Sequence, residues 1–540
     1  MLNFPLAPTD ERAKPAFKDA AACAQWLGQL QLTNLHQAHA TLRAQLDESN
    51  RYPMPGAERL RTLELLRETV SFIQTDYARK LVAKKLPFND DELTILVAMV
   101  ALWQSMFTGY QRCLEACIAG DTQLAAQGAL LCQRCVLYGG LRIFEYMRNG
   151  YEFDGKLWLQ LHQMYAFCEE RGWQLKLVRD ELGDDKHTTS CEATYISILL
   201  ACHAHRADLS RHQLHLLDRW LALWGQTVTV DRNYIASKGD IPPLAVDLNS
   251  SSGLKLFQLF SHSEDIRYLV MAPLSKLIRV KAALLMQGQS PQQLELGENC
   301  NSAECAALLN YLHRCWCEGN DARMIERRTS TQQAQVCYGM ESCFAYIANK
   351  PFKQPGKDAG MDTLSRKQIS AFGRVLSDTN RHDLTVMGMI LESWLVEDES
   401  IRGARLLRVE SVGVRLGAGQ LLAVRPTNAN SFMVGTVTWV KVAQTGQLHA
   451  GVRYLPGLPQ AVAMKATGVN LTVSDKYVAA LLLPAVPALN TPPSLIAPRD
   501  WFKPGRVIEI VRKDKGRLLL KMELSIESGT DYERISFAEI

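Results

Sequence analysis

No stretch of this sequence offers the roughly twenty uninterrupted apolar residues that a membrane span needs. The two most apolar windows are Leu93–Trp103, which runs into Gln104, and Val478–Pro498, which is broken by five prolines. Neither reads as a span. The N-terminus, MLNFPLAPTDERAKPAF, has no basic segment followed by an apolar core and reaches acidic residues at once, so no secretory leader is expected. Low-complexity tracts and long single-sign runs are missing too. With 47% apolar and 21% charged residues the composition is that of ordinary globular proteins, and most of the chain is expected to fold. Catalytic signatures are equally scarce. There is no P-loop, no strand-associated G-x-G-x-x-G, no G-x-S-x-G elbow and no H-E-x-x-H, so an enzyme reading has no residues to rest on.

Cysteine, by contrast, is plentiful at 14 residues. Most fall inside apolar helical patterns, which in a chain without a leader predicts free, buried thiols in a reducing cytoplasm and no disulfides. Cys132-x-x-Cys135 stands alone on an apolar helix pattern, and Cys300, Cys305, Cys315 and Cys317 are irregularly spaced. Both groups read as packing residues, not zinc ligands. His203-x-His205 and His212-x-x-His215 read as helix-face or core residues. No metal is expected. The net charge of +4 conceals an asymmetry, because from Arg323 onward there are 28 Lys+Arg against 20 Asp+Glu, leaving −4 ahead of it. An anionic ligand is favoured on the C-terminal part, while +8 over that length is too mild for a DNA or RNA footprint.

At 540 residues the chain exceeds a single core, and two to four domains are expected. From about residue 16 to 318 the pattern is helical, with Leu60, Leu63, Leu66, Val70 and Ile73 recurring every three or four residues. Turn signals every 30–45 residues or so suggest helical hairpins, for which a solenoid-like stack is one arrangement. The stretch Thr227–Gly253 breaks that pattern and reads as a loop or small β excursion. After Arg323 the period changes: Gln335–Ile347, Met387–Val396, Gly419–Val424, Met433–Val442 and Leu448–Leu455 read as strands. Further candidates are Ala461–Lys465, Val478–Leu483, Arg506–Val511 and Arg517–Ile526, with Pro484–Pro498 as a linker. The fold class predicted is multidomain α + β. Residues 1–318 form an α-helical interaction region, 319–458 a β-barrel with an insertion at about 350–383, and 459–540 a β extension or second small barrel.

Within the β half, WLVEDESIRGARLL sets Asp398, Ser400 and Gly403 in the spacing D-x-S-x-x-G at a strand end. Farther on, VGTVTWVKVAQTGQLHAGVRYL has a Val-x-Trp strand, a turn and a Gly-Val-Arg-Tyr strand. Arg323 and Arg327 form R-x-x-x-R ahead of the first predicted strand, and Arg328 follows. Together these resemble the PilZ domain family of cyclic di-GMP receptors over roughly 323–347 and 387–455. The departure from that family is the spacing, since some 70 residues separate Arg327 from Asp398 where one strand normally does. An insertion in a loop accounts for it, because loop-closure entropy grows slowly with length.

The resemblance implies a barrel that binds cyclic di-GMP through Arg323, Arg327, Arg328, Asp398, Ser400 and Gly403. No cofactor, catalytic residue or cyclic di-GMP synthase or hydrolase motif accompanies it. The residue types suit that ligand: the arginine fork binds phosphate or the guanine O6/N7 edge and stacks on bases, and a carboxylate accepts from guanine N1–H and N2–H₂. The functional expectation is a cytoplasmic receptor that couples messenger binding to an unknown protein partner through its helices, with no nucleic acid and no membrane span. The competing expectation is a helical adaptor whose barrel binds protein alone.

Overall fold

The computed structural model describes residues 6–540 except 181, 183–186, 206–208, 236–240, 261–262, 299, 319–327, 356–383, 386, 411, 468–475 and 513–515. The chain divides into two compact units, residues 1–84 with 88–323, and residues 85–87 with 324–540.

The first unit is helical, as its three- and four-residue apolar spacing dictates. Its helices are α1 (Ala20–Gln29), α2 (Leu35–Arg51), α3 (Gly56–Arg79), α4 (Asp90–Ile118), α5 (Gly128–Arg148), α6 (Lys156–Glu170), α7 (Cys191–Ala204), α8 (Arg211–Trp224), α9 (Ala272–Met286) and α10 (Ser302–Cys317). Side-chain caps begin most of them, among them the reciprocal Asn89/Glu92 box of α4 and the Ser210/Gln213 box of α8. By length and apolarity α4 could cross a membrane, but half of its apolar window is buried. It packs on α2, α3 and α5, with Ser105 and Asn50 hydrogen-bonded between helices, so it serves as a core helix.

Two small sheets interrupt the helices. A hairpin joins β1 (Val178–Asp180) to β2 (His187–Thr189). The strands β3 (Thr229–Asp231), β4 (Leu244–Asp247), β5 (Lys255–Leu256) and β6 (Ile266–Val270) form a sheet in the order β3-β6-β4-β5; β3 and β4 fall in the break expected at Thr227–Gly253, while β5 and β6 lie beyond it, where helix was expected. Buried ionic groups fasten both. Asp180 of β1 meets Arg67 at 2.7 Å, Arg134 bridges Glu64 at 3.0 Å, and Arg267 of β6 clasps Glu169 at 2.7 Å. Burial pushes the Glu64 carboxyl up, but Arg134 and Arg67 outweigh it and hold the group below its ordinary range.

The second unit contains two closed barrels. The first is built from β8 (Gln333–Tyr338), β9 (Glu392–Ser400), β10 (Gly403–Arg408), β11 (Leu421–Pro426), β12 (Met433–Val442) and β13 (Leu448–Tyr454), while β7 (Arg328–Thr329) adds to β9 beside β8. The ring runs β8-β9-β10-β13-β12-β11 and back to β8. The second barrel closes as β14 (Gln460–Ala466), β15 (Val478–Leu483), β16 (Ser494–Ala497), β19 (Glu533–Glu539), β18 (Gly516–Ser528) and β17 (Val507–Arg512). A helix, α11 (Gly339–Ala348), packs on β8 and β11 of one barrel and on β14 and β15 of the other, and all share one apolar cluster that includes Phe344, Leu421, Leu481 and Tyr532.

The helical region followed by barrels is the fold class expected; the differences lie in detail. Gln335–Ile347 was expected as one strand but divides into β8 and α11. Gly339, at φ +73°, turns the chain, and Met340, Cys343, Phe344 and Ile347 then recur at helical spacing. Pro484–Pro498 is no mere linker, since its Ser494–Ala497 is fully buried as β16 between β15 and β19. Disulfides were not expected, yet Cys300 and Cys305 are joined, with Cα atoms 6.4 Å apart across the capped start of α10. The other twelve cysteines are free and mostly buried. The expected insertion falls largely on residues outside those described.

Candidate functional site

Strand register sets which side chains share a face, because directly opposed residues of antiparallel strands point the same way. On the first barrel one row across the sheet is Ser400 (β9), Gly403 (β10), Arg453 (β13) and Thr436 (β12). The next row on that face is Thr329 (β7), Asp398 (β9), Arg405 (β10), Gly451 (β13) and Trp439 (β12). The alternate residues Ala404, Val396, Leu406, Ala450 and Val452 are buried inside the barrel. Both rows therefore lie on the outer face.

The D-x-S-x-x-G segment occupies the β9–β10 turn. Ser400 Oγ donates to the Gly403 carbonyl at 3.2 Å and lies 3.4 Å from the Arg402 amide, which holds the turn. Gly403 is required sterically: a Cβ there would stand 2.1 Å from the Val452 carbonyl oxygen. Gly451 is required for a different reason, since its missing side chain is where the Trp439 indole lies. The indole covers β13, and the Arg405 guanidinium stands 6.0 Å from its ring. A bulge in the β9–β10 ladder at Arg405/Leu406 turns Glu397 outward, where it meets Arg405 Nε at 2.6 Å and His449 Nδ1 at 3.0 Å. Arg453, half exposed, reaches Glu527 of β18 at 2.5 Å, and the same Glu527 oxygen accepts from the Tyr532 phenol at 2.6 Å.

Of the residues singled out from sequence, Asp398, Ser400 and Gly403 are on or beside this face. Arg328 lies in β7 opposite Glu399, with Thr329 opposite Asp398. Two positions some 70 residues apart in sequence thus become ladder neighbours. Arg323 and Arg327 lie outside the described residues. Arg405, Arg453 and Trp439 were not singled out as site residues. Their signal was the pairing of Gly403 with Gly-Val-Arg-Tyr and of Val-x-Trp with Gly451, which only register reveals. The face gathers guanidinium groups, one indole, hydroxyls and carboxylates, a set that can hold phosphate and planar base edges together. Among the described residues no cluster of His, Cys, Asp or Glu is placed to hold a metal ion.

Comparison with known families first defines the class. Residues 463–540 match the FimW C-terminal β-barrel domain, and residues 21–233 match the N-terminal domain of the cyclic-di-GMP receptor FimW. Both domains of one receptor family, covering more than half of the chain, are present in order. Over these stretches the chain is similar to the FimW receptor family. A relative in Pseudomonas aeruginosa strain PAO1, named cyclic-di-GMP receptor FimW, is 23% identical over 93% of this chain and 88% of its own length. The face described above lies in residues 234–462, between the two matched stretches.

Proposed function

We propose that this chain is a receptor for cyclic di-GMP that binds the dinucleotide at its first barrel, at Asp398, Ser400 and Gly403 of the outer face and at Arg328 of the adjoining β7, with Arg323 and Arg327. The observation that carries the reading is the register that sets Thr329 opposite Asp398, because β7, which directly follows the R-x-x-x-R segment in sequence, is the ladder neighbour of D-x-S-x-x-G. The PilZ-like order of motifs and the name of the full-length relative support it. In this reading the arginines hold the phosphates and guanine edges, Asp398 accepts from guanine N1–H and N2–H₂, and Gly403 lets the ligand approach the backbone. Ligand occupancy then alters how the helical unit meets a protein partner in the cytoplasm. No metal or cofactor enters the reading.

A second reading has one observation in its favour: Arg405 and Arg453 already have carboxylate partners in Glu397 and Glu527, as they would on a barrel that binds only protein. Titration calorimetry of the full chain with cyclic di-GMP, beside GTP and cyclic di-AMP, separates the two. The receptor reading predicts selective binding at micromolar affinity or better, weakened about tenfold or more by Asp398→Ala as a charge-assisted contact is lost. No heat at hundredfold ligand excess would contradict it.

A further inference from the structure

Arg453 follows the motif Gly-Val, precedes Tyr454, and sits directly opposite Gly403 in the β10–β13 ladder. Gly403 in turn is directly opposite Ser400. Arg453 is therefore the next side chain on the outer face beyond Ser400, and the residue between them has no side chain to screen it. Cross-strand neighbours are about 5 Å apart, so Arg453 is two strand spacings from Ser400, within what a long guanidinium side chain can bridge. Ser400 and Arg453 thus flank Gly403 in one row, with the Val452 backbone filling the space where a Gly403 side chain would stand.

Glu527 stands on that surface from the other barrel. It belongs to β18, near the end of the strand where the β18–β19 ladder is irregular, between Ser525 and Glu527. Its Oε1 takes both the Arg453 guanidinium and the Tyr532 phenol, while Tyr532 is fully buried in the cluster shared by the two barrels. Arg453 remains about half exposed, with 46% of its side chain open to solvent, and is accessible to a ligand arriving at the turn. A phosphate or a guanine O6/N7 edge would offer it the same bidentate geometry that a carboxylate does.

Building on the receptor reading, we propose that Arg453 is an additional ligand-binding arginine and that Glu527 of the second barrel competes with the dinucleotide for it. Glu527 and the ligand exclude one another at this guanidinium, so occupancy of the first barrel is registered at a side chain of the second. The dinucleotide must displace a carboxylate, and Glu527 keeps affinity below what the open face would give. Reciprocity then requires that ligand binding weaken the Arg453–Glu527 contact.

The test is a double-mutant cycle read by calorimetry with cyclic di-GMP on the full chain. The proteins are the unaltered chain, Glu527→Gln, Arg453→Ala and the double variant, with thermal unfolding confirming that each folds. Removing the competitor in Glu527→Gln is expected to tighten binding about two- to fivefold, the scale of a partly exposed ion pair. Arg453→Ala should weaken binding about tenfold, and in its background Glu527→Gln should have no further effect. Should Arg453→Ala fold poorly, Arg453→Gln takes its place. Binding by the unaltered chain with no response to Glu527→Gln, or an equal response with and without Arg453, overturns the competition and leaves the receptor reading standing. Absence of binding by the unaltered chain overturns both.

Discussion

Glu392, at the start of β9, accepts from Tyr338 Oη at 2.6 Å, Trp394 Nε1 at 3.0 Å and the Val414 amide at 2.6 Å, and it neutralises Arg408 at 3.4 Å. Arg408 is 2% exposed. A buried guanidinium without its carboxylate is costly, so Glu392→Ala should destabilise the second unit by about 3–5 kcal/mol. Denaturant unfolding checks this, and a loss under 1 kcal/mol would show that Arg408 finds another partner. At this scale the sequence was informative where candidate residues are contiguous: Asp398, Ser400 and Gly403 lie around one turn, as their spacing suggested. It was silent on Arg405 and Arg453, because single arginines on strands look alike until pairing shows which of them face the turn. Glu392 was hidden for the same reason.

Among the elements, β10 and β13 approach closely where Gly403 passes Val452. A methyl group at 2.1 Å from a backbone oxygen cannot be absorbed by a side-chain rotation, so Gly403→Ala should shift β10 away from β13. The expected outcome is a destabilised first barrel together with lost cyclic di-GMP binding. A variant as stable as the parent would contradict the ladder described. Helices α2 and α6 carry a different signature, for burial pulls both His39 and His162 down to about 4 from an ordinary 6.5. Each is neutral in the fold. The unfolded chain takes up protons below pH 6.5 while the fold does not, so stability is constant above that value and falls as pH drops toward 4. The loss approaches about 3 kcal/mol per histidine, with 1.36 kcal/mol for each pKa unit. Urea midpoints that do not move between pH 7 and pH 5 would contradict it. Many strand and helix types were readable from period 2 or 3.6, and two that were not show why. In Gln335–Ile347 one positive-φ glycine separates a strand from a helix of equal apolarity, and in Pro484–Pro498 four buried residues form β16 among prolines that signal a linker.

For the molecule as a whole, the order of a helical region and a β region was readable from the change of period near Arg323, and the barrel from its motif order. What the sequence could not express was closure. Whether 459–540 extends the first barrel or closes a second one depends on β16 and β19, each a barrel strand that no alternating run marked clearly. The central claim is that cyclic di-GMP occupies the outer face formed by β9, β10 and β13. Hydrogen exchange of the full chain with and without the dinucleotide, read by mass spectrometry, addresses that location directly, since a ligand held across a ladder slows the opening of the strands beneath it. The account predicts that saturating cyclic di-GMP protects peptides covering 392–408 and 448–454 and that Asp398→Ala abolishes this protection. Protection confined to the helical unit or to the second barrel, with these peptides unchanged, would contradict it.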